Sequence, residues 1–265
     1  MNKKTVFIDL DGTIVYDIHT VIESSWTALH KLKEAGHELF VCTGRNKPLV
    51  NSLFKDFFDN GIYCAGALVE VNGKRVIDEY FREEELKELD DFAHSRGAIR
   101  SLMGEERIWS EGWIQEFFNR RARERGEDED NSLQTYRGEK VYKADVRFRY
   151  EEEEAYRKAV KEMNTERFTF SEYLADVHMG RCIETSRKGV SKGSSIRWLS
   201  EMGLFDMKDT IGIGDSLNDL EMLKTCAYGI AMGNGEEELK KKADMITDRI
   251  EDDGFYKAFE RLGMI

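Results

Sequence analysis

The sequence contains little proline, little cysteine and no long apolar run. One proline in 265 residues argues against long disordered segments. None of the four cysteines forms a CxxC pair, so we expect reduced, buried thiols and neither a disulfide framework nor a zinc site. No segment approaches the roughly 18 apolar residues of a membrane span, and the first residues lack the apolar stretch of a signal peptide. These absences predict a cytoplasmic protein with no membrane partner.

Positive charge is also in deficit. The 40 lysines and arginines are outnumbered by 52 aspartates and glutamates, which gives a net charge of -12. Proteins that bind nucleic acid usually carry a basic surface, so this balance argues against nucleic acid as a partner. An anionic small molecule stays compatible with it, because a bound cation can override the overall field. The length and the 40% hydrophobic content allow one large domain or two modest ones.

Strand and helix patterns alternate at both ends of the chain. Short apolar runs predict strands at 5–8, 38–42, 210–214 and 227–232, and helical spacing predicts helices at 21–35, 191–202, 217–225 and 236–243. Asn72-Gly73 between two apolar runs predicts a type I′ hairpin. This alternation predicts an α/β fold with a Rossmann-like, doubly wound parallel-sheet core.

The pattern changes between residues 82 and 187. Helices are predicted at 83–92, 113–125 and 152–163, and strands around Gly104, at 144–150 and between 168 and 183. This mixed order predicts an inserted α+β domain over 82–187, with the core domain made of 1–81 and 188–265. The acidic run at 126–131 predicts an exposed loop within the insertion.

Asp9 and Asp11 directly follow the first strand, and Gly12 marks the turn after them. The carboxyl end of a parallel strand is where open α/β sheets place their ligand sites. Burying two acids there is costly unless a positive group joins them. We therefore expect a divalent cation, a phosphate partner, or both, beside this pair.

Two further features could hold a phosphate. Thr43 and Gly44 offer a hydroxyl and an unhindered N–H after the second strand, although taken alone they are more simply explained by an ordinary turn. Lys192 is at a predicted helix N-terminus, where a cation is unfavourable unless an anion is near. The alternative for Lys192 is a solvated surface lysine.

The strand at 210–214 delivers another acidic group at its carboxyl end. Asp215 could bind a hard cation through oxygen, Asn218 could contact a phosphate, and Asp219 could support Lys192 or a metal-bound water. The alternative is that Asp215 or Ser216 only caps the following helix.

Taken together, the order and identity of these residues resemble the haloacid dehalogenase superfamily. Residues 9–13, Thr43, Lys192 and residues 214–219 are similar to its four motifs, in that order. Residues 231–235 and 251–254 resemble its Cof-type branch, whose class IIB cap lies between the second and third motifs, as the predicted insertion does. One departure is Ala65, where relatives commonly carry asparagine.

The resemblance implies a Mg²⁺-dependent phosphatase of small phosphorylated metabolites, with sugar phosphates as the expected class. It implies that Asp9 is the nucleophile that forms an aspartyl-phosphate, and that Asp11 is the general acid and base. The implied metal ligands are Asp9, the backbone carbonyl of Asp11, and Asp215; the implied phosphate-binding residues are Thr43, Gly44, Lys192 and Asn218, with Asp219 in support.

Other possibilities stay open. A phosphomutase would return the phosphoryl group to the substrate, and a non-catalytic sensor of phosphorylated metabolites would only bind it. We expect a monomer or a weak homodimer. Arg45 could reach the substrate phosphate or form a surface salt bridge. Candidate substrate contacts in the insertion are Trp109, Trp113, Arg120, Arg121 and residues 173–181; the alternative is that its aromatics form its core and its arginines a solvated helix face.

Overall fold

A computed structural model of the chain describes residues 3–17, 19–127, 130–174 and 180–265. The chain divides into two compact units. Unit 1 comprises Met1–Arg45, Leu49–Asp78 and Ser191–Ile265, and unit 2 comprises Asn46–Pro48 and Glu79–Val190. The boundaries between the two units lie at 78/79 and 190/191. The sequence predicted the domain boundaries at 81/82 and 187/188. Residues 128–129 of the acidic run and residues 175–179 of the candidate contact segment lie outside the described residues.

Strands and helices alternate along the chain. The strands are β1 (Thr5–Ile8), β2 (Val15–Tyr16), β3 (Thr20–Val21), β4 (Glu38–Cys42), β5 (Asn60–Tyr63), β6 (Leu68–Val71), β7 (Lys74–Asp78), β8 (Ile99–Gly104), β9 (Ile108–Ser110), β10 (Val141–Phe148), β11 (Phe168–Leu174), β12 (Arg181–Arg187), β13 (Thr210–Gly214), β14 (Tyr228–Ala231) and β15 (Met245–Ile246). The helices are α1 (Glu23–Glu34), α2 (Lys47–Phe54), α3 (Glu83–His94), α4 (Gly112–Glu124), α5 (Glu153–Glu162), α6 (Lys192–Glu201), α7 (Leu220–Thr225), α8 (Glu237–Lys240) and α9 (Gly254–Arg261).

Unit 1 is built on a sheet in the order β15-β14-β13-β1-β4-β5-β6-β7. The pairs from β15 to β5 are parallel, and the β5–β6 and β6–β7 pairs are antiparallel. β1 therefore lies in the middle, with β13 on one side and β4 on the other. The predicted α/β fold with a parallel core sheet is confirmed.

The core of unit 1 explains why β1 reads as a continuous apolar run. Val6, Phe7 and Ile8 are completely buried, as expected for a central parallel strand covered on both faces. Phe7 packs against Phe40 of β4, with ring centroids 5.1 Å apart, and against Phe205 at 5.3 Å. This packing fixes the place where β1 ends and the acidic motif begins.

Unit 2 contains a five-stranded antiparallel sheet in the order β11-β12-β10-β8-β9. Its apolar core includes Val146 and Phe148 of β10, Leu89 of α3 and Tyr156 of α5, so α3 and α5 lie on one face of the sheet. The residues that alternate with these along β10 lie on the opposite face of the sheet and are charged. They form a buried network in which Lys143 bonds Glu184 at 2.7 Å.

Several element boundaries differ from the expectations. The helix expected from Val21 begins at Glu23, because Val21 pairs with Val15 in a two-stranded β2–β3 sheet. The helix expected from Leu217 begins with a 3₁₀ turn and becomes α-helical only at Leu220. β2, β3, β5, β15 and α9 have no counterpart among the predicted elements.

Two expectations from composition can be compared with the structure. Cys42, Cys64, Cys182 and Cys226 are free and buried, which agrees with the expectation of buried thiols. Among the described residues, no helix combines the length and apolar character needed to cross a membrane.

Candidate active site

Three neighbouring parallel strands of unit 1 end in polar side chains at one edge of the sheet. Asp9 follows β1, Thr43 follows β4 and Asp215 follows β13. Because β1 lies between β4 and β13, the three side chains converge on one place. All the motif residues expected to act together belong to unit 1.

Asp9 is the buried centre of this edge, with only 5% of its surface exposed. Its backbone N–H donates to the Ile213 carbonyl at 3.0 Å, which ties the motif to β13. Its Oδ2 accepts from the Thr13 hydroxyl at 3.3 Å, and its Oδ1 accepts from Lys192 Nζ at 2.6 Å. The carboxylate is thus held in one orientation.

Lys192 is the cation of the site. It is the first residue of α6, whose N-cap is the Ser191 side chain, and it is 1% exposed. Besides Asp9, its Nζ donates to Asp219 Oδ1 at 2.6 Å and to Asn218 Oδ1 at 3.4 Å. A solvated surface lysine is therefore excluded, because the anions that offset its position at a helix N-terminus are in direct contact.

Asp219 and Asp215 have different surroundings. Asp219 Oδ2 accepts from the backbone N–H groups of Asp215 at 3.0 Å and Ser216 at 3.1 Å, so this side chain holds the loop together. In contrast, Asp215 Oδ1 is buried and accepts no hydrogen bond from any described residue. A buried carboxylate oxygen without a partner is unstable unless a cation satisfies it.

The acidic cluster fits a hard divalent cation. Carboxylate oxygens of Asp9, Asp215 and Asp219 lie within 4.8 Å of one another, and within the described chain these are the residues that could form a metal site. Mg²⁺ prefers oxygen ligands, and Asp215 Oδ1 is available to it. Asp219 already bonds Lys192 and two backbone N–H groups, so Asp9 and Asp215 are the better candidates for direct ligands.

The electrostatics of the site follow from its burial. Burial raises the pKa of Asp9 to about 7, and the neighbouring Asp219 carboxylate adds to the rise against the opposing effect of Lys192. Burial and the Asp9 carboxylate likewise hold the pKa of Asp215 well above its usual range. Burial opposes the charge on Lys192, but Asp219 and Asp9 outweigh it and raise the lysine pKa. The site therefore contains more negative charge than one lysine can balance.

Asp11 is turned toward a partner that the motif pattern did not identify. Arg45 donates to it through two nitrogens, from Nε to Oδ2 at 2.9 Å and from Nη2 to Oδ1 at 2.5 Å. The Arg45 side chain is 11% exposed. The sequence left open whether Arg45 contacts the phosphate or forms a surface salt bridge, and in the structure it forms a half-buried, bidentate ion pair. A basic residue directly after Thr43-Gly44 was the available signal.

Thr43 and Gly44 form the turn between β4 and α2. Thr43 is fully buried, and its hydroxyl accepts the Arg45 backbone N–H at 3.1 Å. Its backbone N–H donates to Ile62 of β5, the strand that the sequence pattern missed. Gly44 is half-buried at the same edge. Both residues stand where a phosphate oxygen could be bound, close to the ion pair of Arg45.

The expected contacts in unit 2 have mixed outcomes. Trp109 is buried in the core of unit 2, whereas Trp113, Phe117 and Arg120 line an open cavity of about 330 Å³. Arg121 pairs with Glu124 on its own helix at 3.2 Å, as a solvated helix face would. Trp113 and Phe117 are therefore not core residues, contrary to the expectation that the aromatics of the insertion form its core.

Comparisons with known proteins agree with this site. A family model described as haloacid dehalogenase-like hydrolase matches residues 6–259. YkrA of Bacillus subtilis, a phosphatase by name, is 28% identical over 270 residues, and the match covers 100% of both chains. A phosphoglycolate phosphatase of Methanobrevibacter smithii is 25% identical over 264 residues, with coverage of 98% of this chain and 99% of that protein.

Solved structures show the same fold. A protein from Geobacillus kaustophilus is 27% identical and superposes with a TM-score of 0.78 over 100% of both chains. A sugar phosphatase of subclass IIB is 23% identical, with a TM-score of 0.80 over 99% of this chain and 100% of that one, which shows a shared fold. The resemblance of residues 9–13 to the haloacid dehalogenase superfamily, and of residues 231–235 and 251–254 to its Cof-type branch, is confirmed. The chain belongs to the haloacid dehalogenase-like hydrolase family, and it is an enzyme of the phosphatase type.

Proposed function

We propose that this enzyme is a Mg²⁺-dependent phosphatase of small phosphorylated metabolites that works through an aspartyl-phosphate. One observation carries the proposal. Asp9 is a buried carboxylate held by Lys192 at 2.6 Å, in a cluster where the neighbouring Asp215 Oδ1 has no partner among the described residues. This is the environment of an oriented nucleophile beside a site for a cation.

Asp9 is the proposed nucleophile. Its carboxylate oxygen forms a bond to phosphorus while the bond from phosphorus to the ester oxygen breaks, which leaves an aspartyl-phosphate and an alkoxide. Lys192 and Thr13 orient the carboxylate before the reaction. Water then attacks the phosphorus of the intermediate, releases phosphate and restores the Asp9 carboxylate.

Asp11 is the proposed proton carrier in both halves of the reaction. It protonates the departing alkoxide in the first half and removes a proton from water in the second. The bidentate pair with Arg45 fits the second half, because a carboxylate that accepts two guanidinium hydrogen bonds is ionised. The pair must loosen for Asp11 to act as an acid, which frees the Arg45 guanidinium for the substrate phosphate.

The remaining residues bind the phosphoryl group and the cation. Thr43, Gly44, Lys192 and Asn218 would contact phosphoryl oxygens, where negative charge lies during transfer. Asp9, Asp215 and the backbone carbonyl of Asp11 would hold Mg²⁺, with Asp219 positioning Lys192. Bound there, Mg²⁺ supplies charge neutralisation, which lets a carboxylate approach an anionic phosphate.

The proposed substrate class is small phosphate esters, and sugar phosphates in particular. Relatives named for phosphoglycolate and for a phosphorylated ribitylaminouracil support small, polar leaving groups. A sugar phosphatase shares the fold over nearly the whole chain. We propose that unit 2 is the cap domain that sets specificity. The four buried free thiols support a reducing, cytoplasmic location, and we propose a monomer or weak homodimer.

The test is phosphate release from a panel of sugar phosphates, phosphoglycolate and nucleotides, with and without Mg²⁺. We expect release only with Mg²⁺, and a drop of at least ~10,000-fold in kcat for Asp9→Asn, because the nucleophile is removed. Asp59→Asn, an exposed aspartate on the same unit, is the matched control and should leave kcat unchanged. Turnover by Asp9→Asn near the wild-type rate would refute the mechanism, and an isomeric product without free phosphate would indicate a mutase.

A further inference from the structure

One turn that takes no part in the proposed reaction contacts both loops that carry the proposed metal ligands. Residues 232–236 follow β14 and include Asn234, whose amide is used at both ends. Its Nδ2 donates to the Gly12 carbonyl at 2.8 Å, and its Oδ1 accepts the Ile250 backbone N–H at 2.8 Å. Asn234 thus connects the turn of the first motif to the chain segment that precedes α9.

The Gly12 turn is where the first motif meets Asp215. Gly12 has a φ of +82°, and a Cβ added to it would lie 2.3 Å from Asp215 Oδ2. Its N–H, which shares a peptide plane with the Asp11 carbonyl, donates to the Val15 carbonyl at 2.9 Å. Its own carbonyl is held by Asn234. Both peptide planes around Gly12 are therefore fixed, the first by Val15 and the second by Asn234.

The same turn also holds the Asp215 loop. The Glu236 backbone N–H donates to the Asp215 carbonyl at 2.8 Å, and its carboxylate accepts the Leu217 N–H at 3.0 Å. The contact from Asn234 to Gly12 therefore links two loops that carry the proposed metal ligands, and it spans 222 residues of sequence.

We propose that Asn234 is a positioning residue for the cation, an inference that rests on the Mg²⁺ site of the proposed function. Both ends of its amide bond backbone groups, so its effect on the cation is exerted through the Gly12 peptide. It holds the Gly12 carbonyl, and with it the approach of residues 9–12 to Asp215, while Val15 holds the neighbouring plane that contains the Asp11 carbonyl. Partners that orient metal ligands in this way typically change metal affinity by about 10- to 100-fold when removed.

Two variants distinguish the two hydrogen bonds of the Asn234 amide. Asn234→Ala removes both hydrogen bonds. Asn234→Asp keeps an oxygen that accepts the Ile250 N–H but has no donor for the Gly12 carbonyl. The added negative charge of the aspartate would by itself strengthen cation binding, so weaker binding in this variant has to come from the lost Gly12 contact. Asn60→Ala is the matched control, since Asn60 is also buried and its amide also bonds at both ends, donating to the Glu38 carboxylate and accepting the Asn72 backbone N–H.

The primary measurement is calorimetric titration of each protein with Mg²⁺ in the absence of substrate, with the melting temperature recorded in parallel. We expect Mg²⁺ to bind both Asn234 variants at least ~10-fold more weakly than wild type, and to bind Asn60→Ala as wild type does. In turnover assays, high Mg²⁺ should restore kcat, and KM for the phosphate ester should stay unchanged. Asn234→Asp carries the test even where Asn234→Ala folds poorly.

The outcomes distinguish this inference from the function on which it rests. If wild type and both Asn234 variants bind Mg²⁺ equally, and only the melting temperature falls, then Asn234 is a structural residue and the inference is overturned. If wild type itself binds no Mg²⁺ and releases phosphate without it, the proposed metal dependence fails, and the inference fails with it.

Discussion

Lys192 shows at the scale of one residue how an isolated lysine in the sequence becomes the balancing charge of a site. Seen alone it is a cation at a helix N-terminus, where the helix dipole opposes it. In the structure it is fully buried between Asp9 and Asp219, at 2.6 Å from each. Two buried carboxylates depend on it, and a carboxylate left without its cation is far more costly than an exposed broken salt bridge.

Replacing Lys192 by methionine should therefore destabilise the protein as well as inactivate it. The shape of the side chain is nearly kept, but Asp9 and Asp219 lose their buried counter-charge, at a cost of about 3–5 kcal/mol. In a protein of this size that corresponds to a fall of roughly 10 °C in the melting temperature. Thermal unfolding followed by circular dichroism at neutral pH without Mg²⁺ measures it.

The matched control for this change is Lys208→Met. Lys208 is an exposed lysine in unit 1, paired with Asp206 at 2.6 Å, and its loss should move the melting temperature by less than about 2 °C. Equal melting temperatures for Lys192→Met and Lys208→Met would show that Asp9 and Asp219 are not held by charge balance.

At the scale of elements, the strands that carry the motifs were predictable because their apolar runs are short, continuous and followed by polar residues. β1, β4 and β13 have the predicted bounds. β5 was not predictable, because Asn60 and Gly61 are turn-forming residues and their strand exists through its pairing with β4 and β6. The Arg45–Asp11 and Asn234–Gly12 contacts join residues 34 and 222 positions apart, which no local pattern encodes.

The turn after β1 gives a prediction that separates backbone strain from loss of space. Gly12→Ala adds a Cβ that would lie 2.3 Å from Asp215 Oδ2, at a residue whose φ is +82°. We expect a loss of kcat/KM of at least ~100-fold, since displacement of a reacting group by about 1 Å has that effect. Steady-state kinetics at saturating Mg²⁺ measures it.

Gly36→Ala is an internal control for this change. Gly36 follows α1 with a φ of +83°, and a Cβ there would have nothing within 4 Å. Its substitution should cost about 1 kcal/mol of stability from backbone strain and leave kcat/KM unchanged. Equal losses of activity in the two variants would mean that strain alone, and not the contact with Asp215, is responsible.

At the scale of the whole molecule, the balance of charge links function to folding. The chain carries a net charge of -12, and unit 1 clusters the buried Asp9 and Asp219 and the half-buried Asp215 in a site with one lysine. Acids with a raised pKa bind more protons in the folded than in the unfolded state, so folding becomes less favourable as pH rises. A cation bound among them removes this cost, which makes metal binding a part of the stability of the fold.

The stabilisation by Mg²⁺ should consequently depend on pH in a defined direction. The pKa of Asp9 rises from 3.8 to about 7 in the folded protein, and that of Asp215 rises too, so the metal-free protein loses stability as pH rises from about 4 to about 7. Mg²⁺ competes with protons for these carboxylates. The gain in melting temperature from saturating Mg²⁺ should be small near about pH 5.5 and at least about twofold larger near about pH 8.

Differential scanning fluorimetry with and without Mg²⁺ at each pH tests this prediction. Taking the difference at each pH cancels groups outside the site, such as the buried His37, whose lowered pKa acts in the opposite direction. Asp215→Asn removes a candidate ligand and one of the two raised acids, so its Mg²⁺-induced gain should be close to zero at every pH. A gain in the wild type that is the same at both ends of the range would show that the cation does not replace protons on Asp9 and Asp215.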